Sequence, residues 1–108
     1  MKTTLNKVEL KGFVGKDPEI ISIKNNNKVA RIALATNELF KNKSGEWVNE
    51  TTWHKIVLWN KNALLAQEQI KKGSHVNILG KLISRSFVDK QGKTHSYTEI
   101  QGLSFSTK

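Results

Sequence analysis

Apolar and polar residues alternate with a period of two along most of this chain, and the alternation lapses once. From Asn6 to Val14 the positions Val8, Leu10 and Val14 fall on one face and Lys7, Glu9 and Lys11 on the other, which predicts a half-buried strand. Gly15-Lys16-Asp17-Pro18 then turns the chain, since Asp and Pro both favour turn conformations. A second extended piece runs from Glu19 to Lys24 and closes on Asn25-Asn26-Asn27, residues that tolerate left-handed backbone. Lys28 to Thr36 reads as the next strand, small or apolar on both faces and so well covered. Glu50 to Trp59, rich in β-branched and aromatic residues, is the strand on which the pattern centres. Its pleat puts Trp53, Lys55, Val57 and Trp59 on one face and Thr52, His54, Ile56 and Leu58 on the other.

The lapse follows. Asn60 to Gly73 carries Ala63, Leu64, Leu65, Ala66 and Ile70 without a β-branched run, which predicts a helix of about three turns. Asn60 or Asn62 suits its N-cap, Lys71 and Lys72 its C-terminus, and Gly73 the left-handed residue beyond. Alternation resumes from Ser74 to Phe87 through Val76, Ile78 and Leu82, with Gly80 marking a bulge or sharp bend. Asp89-Lys90-Gln91-Gly92 is a hairpin turn, and Thr94 to Phe105 the last strand. The expected fold is all-β: an OB-fold, that is, a five-stranded Greek-key barrel with one α-helix between the third and fourth strands. The first strand is broken at Pro18, and residues 1–108 form one domain with no repeat, linker or low-complexity segment.

Two indoles flanking a lysine are more aromatic surface than a solvent face usually presents. Such rings suit stacking on unpaired bases, and the lysine suits a phosphate. Taken alone, the strand is better explained by packing, because aromatic side chains dominate cores and interfaces. Between Glu38 and Asn49 the chain is polar and basic, with Lys41, Lys43, Ser44 and Gly45 at the tip of an extended hairpin loop. It carries Phe40 outward and Trp47 back. The rings either form a binding arm or pack on each other across the hairpin, and for Trp47 both readings stand open.

Composition tips the balance. Eighteen Lys and Arg against nine Asp and Glu give a formal charge of +9, spread from Lys2 to Lys108 without a long run. An acidic polymer is the expected partner, nucleic acid first and an anionic membrane surface second. The sequence has no cysteine, which removes disulfides, thiol nucleophiles and thiolate metal sites. The N-terminal Met1-Lys2-Thr3-Thr4-Leu5-Asn6 lacks the apolar run of a secretory signal, and no stretch approaches membrane-spanning length. A soluble, cytoplasmic protein is expected.

Catalysis is poorly supported. His54, His75 and His95 lie in expected strands without short metal-ligand spacing, and Asp17 and Asp89 fall in turns, where backbone chemistry explains them. The seven glutamates are scattered. His54, on the core-facing side, reads as a hydrogen-bonded buried or interface histidine rather than a general base. Gly12-Phe13-Val14-Gly15 lies between strands and reads as a bend. Neither enzyme activity, cofactor nor metal is expected.

At several points the chain resembles the bacterial and mitochondrial single-stranded DNA-binding proteins. The matching stretches are Asn6-Lys7-Val8, Gly15-Lys16-Asp17-Pro18-Glu19, Ala33-Leu34-Ala35-Thr36, Thr52-Trp53-His54-Lys55-Ile56-Val57 and Lys72-Gly73-Ser74. Any one alone is weak; five in order at compatible spacing are specific. The resemblance implies base-stacking roles for Phe40, Trp53, Trp59 and Phe87, which favours Phe40 over Trp47 on the arm. It implies phosphate contacts at Arg31, Lys55, Lys61, Lys72 and Arg85, with Lys41 and Lys43 as further candidates on the loop. It also implies a homotetramer in which the Lys7–Lys11 strand pairs with its copy, bringing His54 close to a subunit contact.

There are departures. Phe40 and Phe87 stand where the family commonly has Trp, and Trp59 where it has a smaller ring. Family members usually continue into a flexible tail with an acidic tip that recruits replication and repair enzymes. This chain stops at Ser106-Thr107-Lys108, so that recruitment is not assigned to these residues. The expected function is sequence-independent binding of single-stranded DNA, coating and protecting it on the bacterial nucleoid in replication, recombination and repair. The rivals are an RNA-binding or primosome-type barrel, a barrel that binds only protein or carbohydrate, and a nuclease or ligase. The last is disfavoured by the missing carboxylate cluster and nucleophile.

Overall fold

In the computed structural model, which describes residues 3–107, alternation becomes one closed sheet; Met1, Lys2 and Lys108 lie outside the described residues. The elements are β1 (Val8–Val14), β2 (Glu19–Ile23), β3 (Asn27–Lys41), β4 (Trp47–Trp59), α1 (Lys61–Gln69), β5 (His75–Val88) and β6 (Thr94–Thr107). Strand order is β1-β5-β6-β4-β3-β2, and β1 returns to β3 through Phe13↔Ala35 and Val14↔Leu34, which closes the ring. β2 continues the line of β1 along the same β3 edge, pairing Glu19–Ile23 with Asn27–Arg31. β1 and β2 together thus act as one strand broken at Gly15–Pro18, and the barrel is five-stranded with its helix between the third and fourth.

The core takes in inward positions that the alternation marked on β4 and β5, while Leu82, marked with Val76 and Ile78, is exposed. Ala30, Ile32 and Leu34 of β3, Ile56 and Leu58 of β4, Val76 and Ile78 of β5 and Ile100 of β6 are buried together. Ala63, Ala66 and Ile70 join this cluster from the helical segment. Each fully buried Leu or Ile contributes about 1.5–3 kcal/mol, so this cluster is what holds the barrel shut.

Helix α1 is shorter than the sequence predicts. It ends at Gln69 because Ile70 turns extended (φ −109°, ψ 132°) and is buried in the core. Lys71, Lys72 and Gly73 therefore form a separate turn, in which the Lys71 N–H donates to Ser74 Oγ and the Ser74 N–H to the Lys71 carbonyl. Asn60 occupies the N-cap position, but its side chain accepts from the Lys28 N–H instead of capping the helix. Asn25 and Asn26 adopt positive φ, as a left-handed turn requires, while Asn27 is already extended.

Strands β3 and β4 are longer than expected and pair from Val29↔Trp59 out to Lys41↔Trp47. Thus the polar loop read over Glu38–Asn49 is mostly ladder, with only Asn42–Glu46 as its turn. β5 and β6 form a second long hairpin, interrupted by a register shift at Leu79/Gly80. The two ribbons carry the radius of gyration to 16.5 Å, against about 13 Å for a compact domain of this length.

Candidate nucleic-acid interface

The strands β4 and β6 run parallel and pair only through Ile56↔Ile100 and Val57↔Gln101. This short seam lies between the two projecting ribbons. On its outer side is an open groove of about 590 Å³, lined by Lys16, Arg31, Lys55, Val57, Tyr97 and Glu99 among others. Lys55 and Val57 come from the face of β4 that the sequence singled out. Opposite them on β3 stand Ala33 and Arg31, small or flexible residues that leave the floor open.

Trp53 is on the same face, 58% exposed, with its ring against Gly15. Trp59 differs. It is only partly exposed, and its indole Nε1 is buried without a hydrogen-bond partner among the described residues. Its neighbour across the ladder, Val29, is also buried. Trp59 therefore faces outward less freely than Trp53, with its ring partly covered.

Both hairpin tips use the same device. Asn42 Oδ1 accepts from the Ser44 and Glu46 N–H groups, and Asp89 Oδ1 from those of Gln91 and Lys93. Gly45 and Gly92 take the left-handed position at φ 81° and 82°. An Asx residue followed by glycine three positions on therefore makes each tip rigid.

On the first ribbon Phe40 pairs with Val48 and Lys41 with Trp47. Successive residues point to opposite faces, so Phe40 and Trp47 do not pack on each other. The pleat assigns Trp47 to the Trp53 side and Phe40 to the other, and both rings are exposed. Lys41 Nζ lies 5.9 Å from the Trp47 ring centroid, within cation–π range. Lys43 is exposed at the tip.

The second ribbon carries Phe87, 53% exposed. His95 stacks beside it at 5.0 Å between centroids, and Tyr97 lies tilted at 6.2 Å. His95 Nε2 is 2.7 Å from Asp89 Oδ2. That contact, with the Lys93 and Gln91 amides, holds the Asp89 carboxyl below its ordinary value. Neither Tyr97 nor His95 was drawn from the sequence as a site residue. Their β6 positions opposite Arg85 and Phe87 become visible only with the register Arg85↔Tyr97 and Phe87↔His95.

The cations are not equivalent. Arg85 Nε is bonded to Glu99 Oε1, and Arg31 lies 3.8 Å from Glu19 in an exposed, loose pair. Lys55, Lys61 and Lys72 are exposed. Lys61 opens α1 and Lys72 sits in the turn before β5, so both lie off the groove floor. The Lys72 amide donates to Asp17 Oδ1, tying that turn to the β1–β2 corner. His54 is half-buried with Nε2 2.9 Å from Thr36 Oγ1, in keeping with a structural histidine.

Residues 5–106 match the model of the single-strand binding protein family. Among solved structures, the chain is similar to a Plasmodium falciparum SSB in complex with ssDNA at 30% identity and a TM-score of 0.86, covering 100% of this chain and 98% of that one. It is also similar to a deletion mutant of the single-stranded DNA binding protein from Thermus aquaticus. There the identity is 20% and the TM-score 0.85, over 96% of this chain and 50% of that one, a likeness of fold.

Proposed function

The chain belongs to the single-strand binding protein family, and from that premise we propose how it works: it binds single-stranded DNA without regard to sequence, by ring stacking and a cationic groove. Such a protein coats exposed strands in replication, recombination and repair, and acts by occupancy rather than catalysis. The observation that carries the mechanism is the juxtaposition of exposed Trp53 with Lys55 beside an open groove between two ring-bearing ribbons. A base offers a π-face to Trp53 whatever its identity, while its phosphate meets Lys55. Trp47 and Phe87 extend the path along the ribbons and Phe40 offers a further ring on the other face of the first one, with Lys41 and Lys43 at one tip and Arg85 beside Phe87. Residues 1–108 act as one binding domain, engaging roughly 4–16 nucleotides.

The proposed assembly is a homotetramer. From Val8 to Gly12, β1 pairs with β5 on one side, and its pairing with β3 covers only Phe13 and Val14. An uncovered edge is a template for another strand, and a second copy of the same edge is a natural cover. DNA in the bacterial cytoplasm is the proposed setting.

Binding of poly-dT, poly-U and duplex DNA, compared by anisotropy at one salt concentration, tests the function. Strong preference for poly-dT is expected. Equal binding of poly-U would favour an RNA-binding barrel, and failure to bind any of them would leave a protein or carbohydrate ligand.

A further inference from the structure

We infer that Tyr97 is a base-stacking platform, joining the Phe87 ribbon to the groove at the β4–β6 seam; the inference rests on the single-stranded DNA reading above. Tyr97 is 44% exposed on the outer face of β6. It lines the same groove as Lys55 and Arg31. Among the described residues no other aromatic lines that groove, so without Tyr97 the path from Phe87 to Lys55 would cross a stretch with charge but no ring.

Three contacts keep this ring available. Phe87 meets it at 58° between planes, a tilted contact that holds Tyr97 in place without lying parallel over it. His95 stacks on Phe87 itself and is anchored by Asp89, so one side of Phe87 is already occupied. Arg85, directly across the ladder from Tyr97, reaches diagonally to Glu99. Glu99 is only 12% exposed and so cannot swing far, which keeps the guanidinium to one side. Ring and cation therefore stand next to each other, the pairing that a nucleotide with its phosphate requires.

A mere prop for Phe87 would look similar in a simple alanine test, so the experiment uses a direct contact probe and volume-keeping variants. Oligo-dT carrying 5-iododeoxyuridine is cross-linked to the protein by ultraviolet light, and the adducts are mapped by peptide mass. Affinities of Tyr97→Phe, Tyr97→Leu and Tyr97→Ala are measured in parallel. An adduct at Tyr97 is expected. Leu and Ala should each weaken binding about 5- to 150-fold, the range for one base–aromatic stack, while Phe should retain it. The salt dependence should be unchanged in all three. Adducts confined to Trp53, Phe87 or the arm, with Tyr97→Leu binding like the unaltered protein, would overturn this inference and leave the function standing. Absence of any oligo-dT binding by the unaltered protein would overturn both.

Discussion

The Trp53 indole lies directly against Gly15: a Cβ built on that glycine would stand 2.5 Å from ring atom Cζ3 and 2.7 Å from Cη2. The Gly15 N–H is at the same time bonded to the Ala33 carbonyl, so the backbone beneath the ring is held by the barrel. Gly15 is therefore required by closeness of approach, and Trp53 is seated on one side and open on the other.

Gly15→Ala should accordingly keep the fold but lift the ring. The atoms in the way belong to a side chain, so the indole yields before the backbone does. A stability loss of about 1–3 kcal/mol is expected from the overpacking. Near-UV circular dichroism should report the displaced indole, and oligo-dT affinity should fall. Unaltered affinity with an altered dichroism signal would remove Trp53 from the binding surface.

Stacking and charge should separate by salt. Trp53→Ala should cost about 1–3 kcal/mol of oligo-dT binding with little change in salt dependence. Lys55→Ala should instead flatten the plot of log affinity against log salt by about 0.7, the contribution of one phosphate contact. Lys61→Ala should do the same only if the strand continues past the barrel onto α1. Titrations between low and high salt check all three.

Trp59→Ala should behave unlike Trp53→Ala. With its Nε1 buried and Val29 against it, this indole should contribute mainly to stability, approaching the lower end of the about 3–5 kcal/mol range for large aromatic truncations. Urea unfolding measures the loss. A stable variant with strongly reduced DNA binding would restore Trp59 to the stacking set.

Acid should loosen the second hairpin tip first. Contact with His95, then amide donation from Lys93 and Gln91, lowers the Asp89 pKa from its ordinary 3.8. A carboxylate depressed in the folded state contributes stability that is fully present above its unfolded value and is lost as pH falls through the folded one. The contribution should therefore hold above pH 3.8 and fade below it. Amide hydrogen exchange at Gln91 and Lys93 should accelerate in that acid range. Asp89→Ala should show the faster exchange at neutral pH, and Asp89→Asn, which keeps an acceptor, less so.

The proposed homotetramer predicts a light-scattering mass near four times the 12.2 kDa subunit at micromolar concentration without DNA. A subunit-sized mass would mean that the open edge of β1 is protected by other means.

Much of this was legible along the chain. Period-two spacing put Ile56 and Leu58 on the core-facing side of β4 and picked out Val76, Ile78 and Leu82 along β5; the first four are buried, because pleat parity is local, whereas Leu82 is 48% exposed. The same parity placed Trp53 and Lys55 outward together. Helix α1 was legible as an element but not in length: Lys71 and Lys72 suited a helix end by local chemistry, and core space for Ile70 ended it earlier. The first arm was misjudged as loop since Asn37 to Lys41 are mostly polar, and a ribbon standing away from the core needs no apolar face, whereas the second was legible as a hairpin. Sequence alone thus determined the barrel, most of its inner face and the strand that turns Trp53 and Lys55 outward. Only tertiary structure decided that Trp59 is half covered, that Arg85 is held by Glu99, and that Tyr97 stands beside Phe87. Those relations depend on strand register and on residues distant in the chain meeting across a closed sheet, and no local periodicity encodes them.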